Sequence, residues 1–421
     1  MIQTLQQSLA ADWENYVKAT AEAAKWPPDV RGTLFIHNVA KPIEEALARD
    51  APFDGGAGFL VQRDNGYSGF HAHEAAIAMA RRVLRGETPE QALAWLERIL
   101  ATDQGTGIGV LSLWGIEVKS QVDLGRGVTL LPFSELPDSR TKEWLSQPRD
   151  PTAFPVFLAS MFASQPGAAL VCRCTVQPFL HSTKLGEPPA QTNPNRIQSL
   201  LDDARLALTL IGPSCPLNAG YWFQFDDPNL SEAAFYGGVS TSYQEVLPWG
   251  FGLTPPVLIE PAEAQAVATR FLDLPDPLRA TLRLALSRLN QAVRRPPHGD
   301  RALDLSIALE TLLVDGGGEN TYKVGLRAAL LVDAPLERRR EVRATIGALY
   351  TLRSALVHDG VLPAEVKVAR GGKRPSPEVV KEATAICAMV LRAILDAGSV
   401  PDWYDYELTG GRHPEGMGGD V

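Results

Sequence analysis

The hydrophobic period changes at Pro275-Asp276-Pro277, and that change limits the fold more than any other feature of the 421-residue chain. Beyond it, nearly every residue falls in a stretch with apolar side chains three and four apart, the spacing of one helix face. DPLRATLRLALSRLNQAVRR carries Leu278, Leu282, Leu286 and Leu289 on one stripe. DRALDLSIALETLLVD opens at Asp300 and closes at Gly316-Gly317-Gly318. ENTYKVGLRAALLV is a third helix, and PLERRREVRATIGALYTLRSALVH, with Pro335 near its start, a fourth. SPEVVKEATAICAMVLRAILDAG is a fifth, with Ser376 as cap and Pro377 at the first helical position. Short connections make sequential helices antiparallel neighbours, so residues 271–400 predict a compact all-α bundle.

Upstream the pattern is mixed, and the fold class expected for the whole chain is α+β. Residues 1–104 read as mainly helical: an amphipathic helix over 1–26, a second around 39–49, and two more at 71–86 and 88–101. The last is opened by Thr88-Pro89-Glu90-Gln91. Residues 50–70, rich in Gly and Asp, read as a loop. In residues 105–270 the period falls to two over 107–133 and 168–179, which predicts strands, with helix returning at 195–211 and again after Pro261. This α+β region is expected to sense or regulate. Residues 401–421 read as an acidic, Gly-rich tail.

Charge is divided unevenly. The chain carries −9 overall, which argues weakly against a nucleic-acid partner, but residues 275–400 hold 19 Lys/Arg against 14 Asp/Glu. Residues 1–274 hold 20 against 30, and residues 401–421 hold 1 against 5. Cationic character is therefore concentrated in the helical segment, which permits an RNA-contacting domain on an acidic carrier. The four cysteines have neither disulfide nor zinc spacing. No apolar run is long enough to span a bilayer, and the amino terminus lacks the basic and apolar regions of a signal peptide. A cytoplasmic location without membrane attachment is the expectation.

The chemistry-bearing residues lie at the end of the fourth helix of the bundle, Leu349-Tyr350-Thr351-Leu352-Arg353-Ser354-Ala355-Leu356-Val357-His358-Asp359-Gly360. Leu349, Leu352, Leu356 and Val357 are expected to form its core stripe. Arg353 and His358, five apart, stand about 140° from each other on a regular helix. A last turn that tightens or unwinds, a ligand that wraps the helix end, or two copies facing across a symmetry axis would bring them to one ligand. Gly360 is a helix-ending residue, and the negative end of the helix dipole beside His358 favours imidazolium. Arg grips phosphoryl oxygens through its planar fork, and His exchanges protons near neutral pH.

Together with ALDLSIALETLL (302–313), TYKVGLRAALLV and LYTLRSALVHDG, this pattern resembles the HEPN superfamily, specifically its Apea-like branch, over residues 276–397. HEPN domains carry Arg, four to six residues, then His, and Arg353 and His358 match with four between. The polar residue that often follows the Arg is here Ser354. The resemblance implies a homodimeric, metal-independent endoribonuclease without a cofactor, with paired motifs forming one cleft. It implies attack of an RNA 2′-OH on its own 3′-phosphate, leaving a 2′,3′-cyclic phosphate. Arg353 would stabilise the transition-state charge, and His358 would act as general acid or base. Family habit further suggests a defence or toxin-like effector whose N-terminal region meets an antitoxin or trigger ligand. The alternative is a non-catalytic dimerisation or RNA/nucleotide-binding module.

Other residues are open to two readings. Glu310, on an apolar stripe, either orients Arg353 or pairs with Lys323 or Arg327 to hold the bundle. Tyr350 either contacts a base or phosphate, or packs in the core with a wet hydroxyl. Arg338-Arg339-Arg340 with Arg343 is a solvated face or a strip for nucleic-acid backbone. Lys367, Arg370, Lys373 and Arg374, in a loop after His358, are the stronger expectation for binding RNA. His71, His73 and Glu74 do not make a metal site, since the two histidines point about 160° apart on a helix. GGAGF (55–59) lacks the strand, helix and Lys-Ser/Thr of a phosphate loop.

Overall fold

Where apolar residues recur at helical spacing and a cap precedes them, helices form; where the period is two, strands form. The computed structural model describes residues 33–63, 66–146, 165–177, 179–185, 196–233, 256–295, 297–316, 318–332, 334–369 and 372–411. The helix expected over 1–26 lies outside them. The chain opens with α1 (Thr33–Leu47), β1 (Gly58–Arg63), β2 (Gly66–His71), α2 (Ala72–Leu84) and α3 (Pro89–Leu100). There follow β3 (Gly105–Trp114), β4 (Ile116–Glu117), β5 (Val122–Asp123), β6 (Val128–Pro132) and α4 (Arg140–Ser146). Next are β7 (Ala168–Val176), β8 (Leu180–Ser182), α5 (Arg196–Leu208), β9 (Leu217–Phe225), α6 (Pro228–Ala233) and β10 (Val257–Leu258). The remainder comprises α7 (Pro261–Asp273), α8 (Asp276–Arg294), α9 (His298–Leu313), α10 (Asn320–Leu331) and α11 (Leu336–Asp359). It closes with β11 (Glu365–Val368), β12 (Gly372–Pro375), α12 (Ser376–Ala397) and α13 (Trp403–Leu408). The fold class is α+β.

The chain divides into two compact units, and neither is a continuous segment. The first comprises residues 1–110, 172–199 and 221–240; the second comprises 111–171, 200–220 and 241–421. In the first unit, α3 begins as its sequence directs: Thr88 Oγ1 accepts from the Gln91 amide at 3.3 Å, and Gln91 Oε1 accepts from the Thr88 amide at 2.8 Å. Its buried face is Ala92, Trp95, Leu96 and Ile99. Residues 50–70, expected to be a loop, instead contain the antiparallel pair β1–β2, with β8 on the other side of β1. Gly58 and Gly69 account for the difference. A Cβ at either would stand 2.3 or 2.8 Å from the His71 ring, so these glycines make room for an imidazole while obscuring the strand period. Phe53, Phe70 and Phe179 fill the core beside α1 and α2.

A five-stranded sheet has the order β5-β6-β7-β3-β9. Six helices, α7 to α12, follow it in sequence. Helix α8 buries Leu282, Ala285, Leu286 and Leu289, and α9 packs against α8, α11 and α12. The bundle and the segment 200–220 share polar bonds. Asn290 Nδ2 donates to Thr209 Oγ1 and to the Pro216 carbonyl, both at 3.2 Å, and Arg283 pairs with the buried Asp203. Part of the stretch read as a tail is also integral here. α13 buries Trp403 and Tyr406, and Arg327 reaches Glu407 at 2.6 Å with its guanidinium 4.8 Å from the Trp403 ring.

Candidate functional site

Helix α11 positions the expected pair. Leu349 and Leu352 are fully buried, and Tyr350 is 6% exposed, so this face of the helix cannot rotate without losing its core. The helix stays regular through Asp359. Gly360, at φ 67°, ends it, with its amide donating to the Leu356 carbonyl at 3.1 Å. The last turn therefore neither tightens nor unwinds, which removes one of the three geometries that would bring Arg353 to His358. Regular helix sets them about 140° around the axis and about 7.5 Å along it, and within one chain they do not meet side by side.

Arg353 lies beside α9. Its Nη1 is 3.8 Å from Glu310 Oε1, and its guanidinium carbon is 5.7 Å from the centre of the Tyr350 ring. The Tyr350 hydroxyl donates to the same Glu310 oxygen at 3.0 Å. Burial and then the Glu310 charge push the phenol well above its ordinary value, so it remains a donor at neutral pH. Of the two readings of Glu310, contact with Arg353 is the one seen. Lys323 and Arg327 are engaged elsewhere, with the Asp315 carbonyl at 2.8 Å and the Leu313 carbonyl at 2.7 Å. Magnitude matters here: a half-exposed ion pair at such a distance contributes under about 1 kcal/mol. Glu310 can thus aim Arg353 without locking it. Arg353 keeps 36% of its side-chain surface exposed, yet its Nε is buried with no hydrogen-bond acceptor among the described residues. Its Nη1 makes no hydrogen bond to Glu310 at 3.8 Å, so the exposed part of the side chain keeps donor capacity for an oxyanion.

His358 is exposed on the last turn, as is Ser354 one turn earlier. Val357 does not join the core stripe as expected; it is 59% exposed, and Val361 is 67% exposed, so two apolar side chains flank His358. Leu356, expected on the same stripe, is half-buried. A Cβ at Gly299, in the first turn of α9, would stand 3.0 Å from its methyl groups.

The basic segment after His358 is a hairpin and not the loop expected. In β11–β12, Val366 and Val368 are buried, while Lys367 and Lys373 are exposed and directly opposite each other. Like charges so paired repel, and an anion between them relieves the repulsion. Arg374 is taken up by Glu382 at 2.7 Å, and Arg370 lies outside the described residues. Each arginine of the Arg338–Arg343 run has a partner within the chain. Arg338 and Arg340 pair with Glu341 and Glu337, Arg339 donates to backbone carbonyls at 2.9 Å, and Arg343 lies over the Tyr322 ring. His73 bonds Glu44 at 2.7 Å, and the His71 amide is capped by Glu74. No group of three or more metal-ligating side chains occurs among the described residues.

His298 Nδ1 and Arg301 Nε are buried without a hydrogen-bond partner among the described residues, which no motif in the sequence marks. No family model, curated protein or solved structure matches this chain. Among the described residues no helix is long and apolar enough to cross a membrane.

Proposed function

We propose that the protein is a metal-independent endoribonuclease of the HEPN type, resembling the Apea-like branch, in which two copies complete one site. The observation that carries this reading is the state of Arg353: aimed by Glu310, half exposed, with donors to spare. Alongside it, His358 stands free on the same helix end between exposed valines. Val357 and Val361 suit a second copy, and a twofold axis there brings the Arg353 of one chain toward the His358 of the other. In the reaction, the ribose 2′-oxygen bonds to the adjacent phosphorus as the P–O5′ bond breaks. The 2′-OH loses a proton and the leaving O5′ gains one; His358 serves one of these transfers. Arg353 stabilises the charge that builds on the phosphoryl oxygens. Lys367 and Lys373 hold the flanking backbone. The products are a 2′,3′-cyclic phosphate and a 5′-OH. The discontinuous first unit then serves as the regulator of a defence or toxin-like effector in the cytoplasm.

A second reading has its own support. Because Arg353 and His358 are separated within one chain, a dimer that binds RNA without cutting it is the competing function. Incubating the purified full chain with total RNA in EDTA separates the two. Cleavage with cyclic-phosphate ends, slowed about 100-fold or more in Arg353→Ala and in His358→Ala, supports the nuclease. RNA binding without cleavage supports the binding module, and cleavage that persists in both variants contradicts the site.

A further inference from the structure

Two tyrosines, Tyr322 and Tyr404, are more than half exposed among the described residues, and they differ in what lies on the ring. Over Tyr322, in the first turn of α10, stands the guanidinium carbon of Arg343, 4.9 Å from the ring centre. Arg343 is itself exposed, and among the described residues its guanidinium has this ring for a partner in place of a carboxylate. Arg338 and Arg340, earlier on the same helix, are each paired with a glutamate. The backbone of α10 lies against the Arg343 stem at Gly325, where a Cβ would be 3.5 Å from Arg343 Cγ. That contact keeps the guanidinium at the ring.

Position is the second observation. Helix α11 is regular from Leu336 to Asp359. At 100° per residue, Arg343, Gly347, Ser354 and His358 fall on one strip about 60° wide. Along the axis Arg343 stands about 15 Å from Arg353 and about 22 Å from His358. The way between is clear, since Ser354 is exposed and a Cβ at Gly347 would meet nothing within 4 Å. A half-exposed ring beside a planar cation offers a flat ligand a π face, and an unpaired base stacks on such a face whatever its identity.

We propose that Tyr322 and Arg343 form a stacking subsite for one unpaired base of the RNA strand whose backbone reaches the Arg353–His358 pair. The subsite presupposes that RNA is the ligand of that pair. Tyr322 is then a positioning residue: it anchors the strand along α11 and touches no reacting atom. Arg343 contributes its plane as well as its charge, so lysine does not replace it.

Binding of a short end-labelled single-stranded RNA, read by fluorescence anisotropy, tests this in full-length His358→Ala, where the strand stays intact. Cleavage by the parent is assayed separately. Adding Tyr322→Ala to this background weakens binding about fivefold or more, and so does Tyr322→Leu, which keeps an apolar body without a π face. Tyr322→Phe and Tyr404→Ala bind like the background, and Arg343→Lys binds more weakly. The salt dependence is the same with and without Tyr322→Ala, because no phosphate contact is lost. An abasic nucleotide walked along the strand costs the background about fivefold at one position and costs Tyr322→Ala nothing there. Circular dichroism checks that each variant folds. Binding unchanged in Tyr322→Ala, loss as large in Tyr322→Phe, or an abasic penalty that persists in Tyr322→Ala at every position overturns the subsite. RNA held with the expected pattern but never cut by the parent overturns the nuclease and leaves the subsite standing; no RNA bound at all overturns both.

Discussion

Glu310 is bonded by the Tyr350 hydroxyl and only approached by Arg353, and this inequality has consequences for both partners. The tyrosine bond is to a charge, of a kind that contributes about 1.5–3 kcal/mol, whereas the Arg353 contact is worth less than about 1 kcal/mol. Tyr350→Phe is therefore expected to lower stability by about 1–2 kcal/mol in denaturant titrations. Glu310→Gln keeps the tyrosine hydroxyl satisfied but releases the guanidinium. If Glu310 positions Arg353, that variant loses about tenfold in kcat with little change in KM, and Glu310→Asp recovers part of the loss. Equal stability and unchanged kcat would leave Glu310 as packing alone.

At the scale of elements, Glu382 of α12 joins the hairpin through Arg374 and the start of α11 through Arg338. Burial works against its charge, but the two guanidinium groups outweigh it and hold the carboxyl below its ordinary value of 4.5. A depressed folded-state pKa means stability that is full above the ordinary value and lost as pH falls through the folded one. Melting temperature followed from about pH 6 to about pH 3 should fall less steeply in Glu382→Gln than in the parent; parallel curves would show that the clamp contributes nothing. The elements themselves were legible to different degrees. The bundle helices were, because Leu282, Leu286 and Leu289 repeat on one face and proline or glycine marks the joints. Hairpin β11–β12 was not, because Lys367, Arg370, Lys373 and Gly372 conceal the two inward residues Val366 and Val368. For the site, Arg353 and His358 were visible as residue types, and the Glu310 contact as one of two readings. The outward turn of Val357 was not visible, since periodicity gives a face but not its neighbour.

At the scale of the molecule, the sequence order of regions is not the spatial order. Each unit is assembled from three separate segments, which no linear reading of composition can anticipate. The helical segment takes part of its packing from residues 200–220 and from α13, so its chemistry belongs to the full chain. The central claim concerns two such chains: the guanidinium of one and the imidazole of the other act on one phosphate. Mixing Arg353→Ala with His358→Ala after reversible dissociation tests it most directly. Random pairing under twofold symmetry restores one intact site in half of the dimers, so the predicted result is recovery of about a quarter of the parent's RNA-cleaving activity from two inactive proteins. A mixture that stays as inactive as its components would contradict the account.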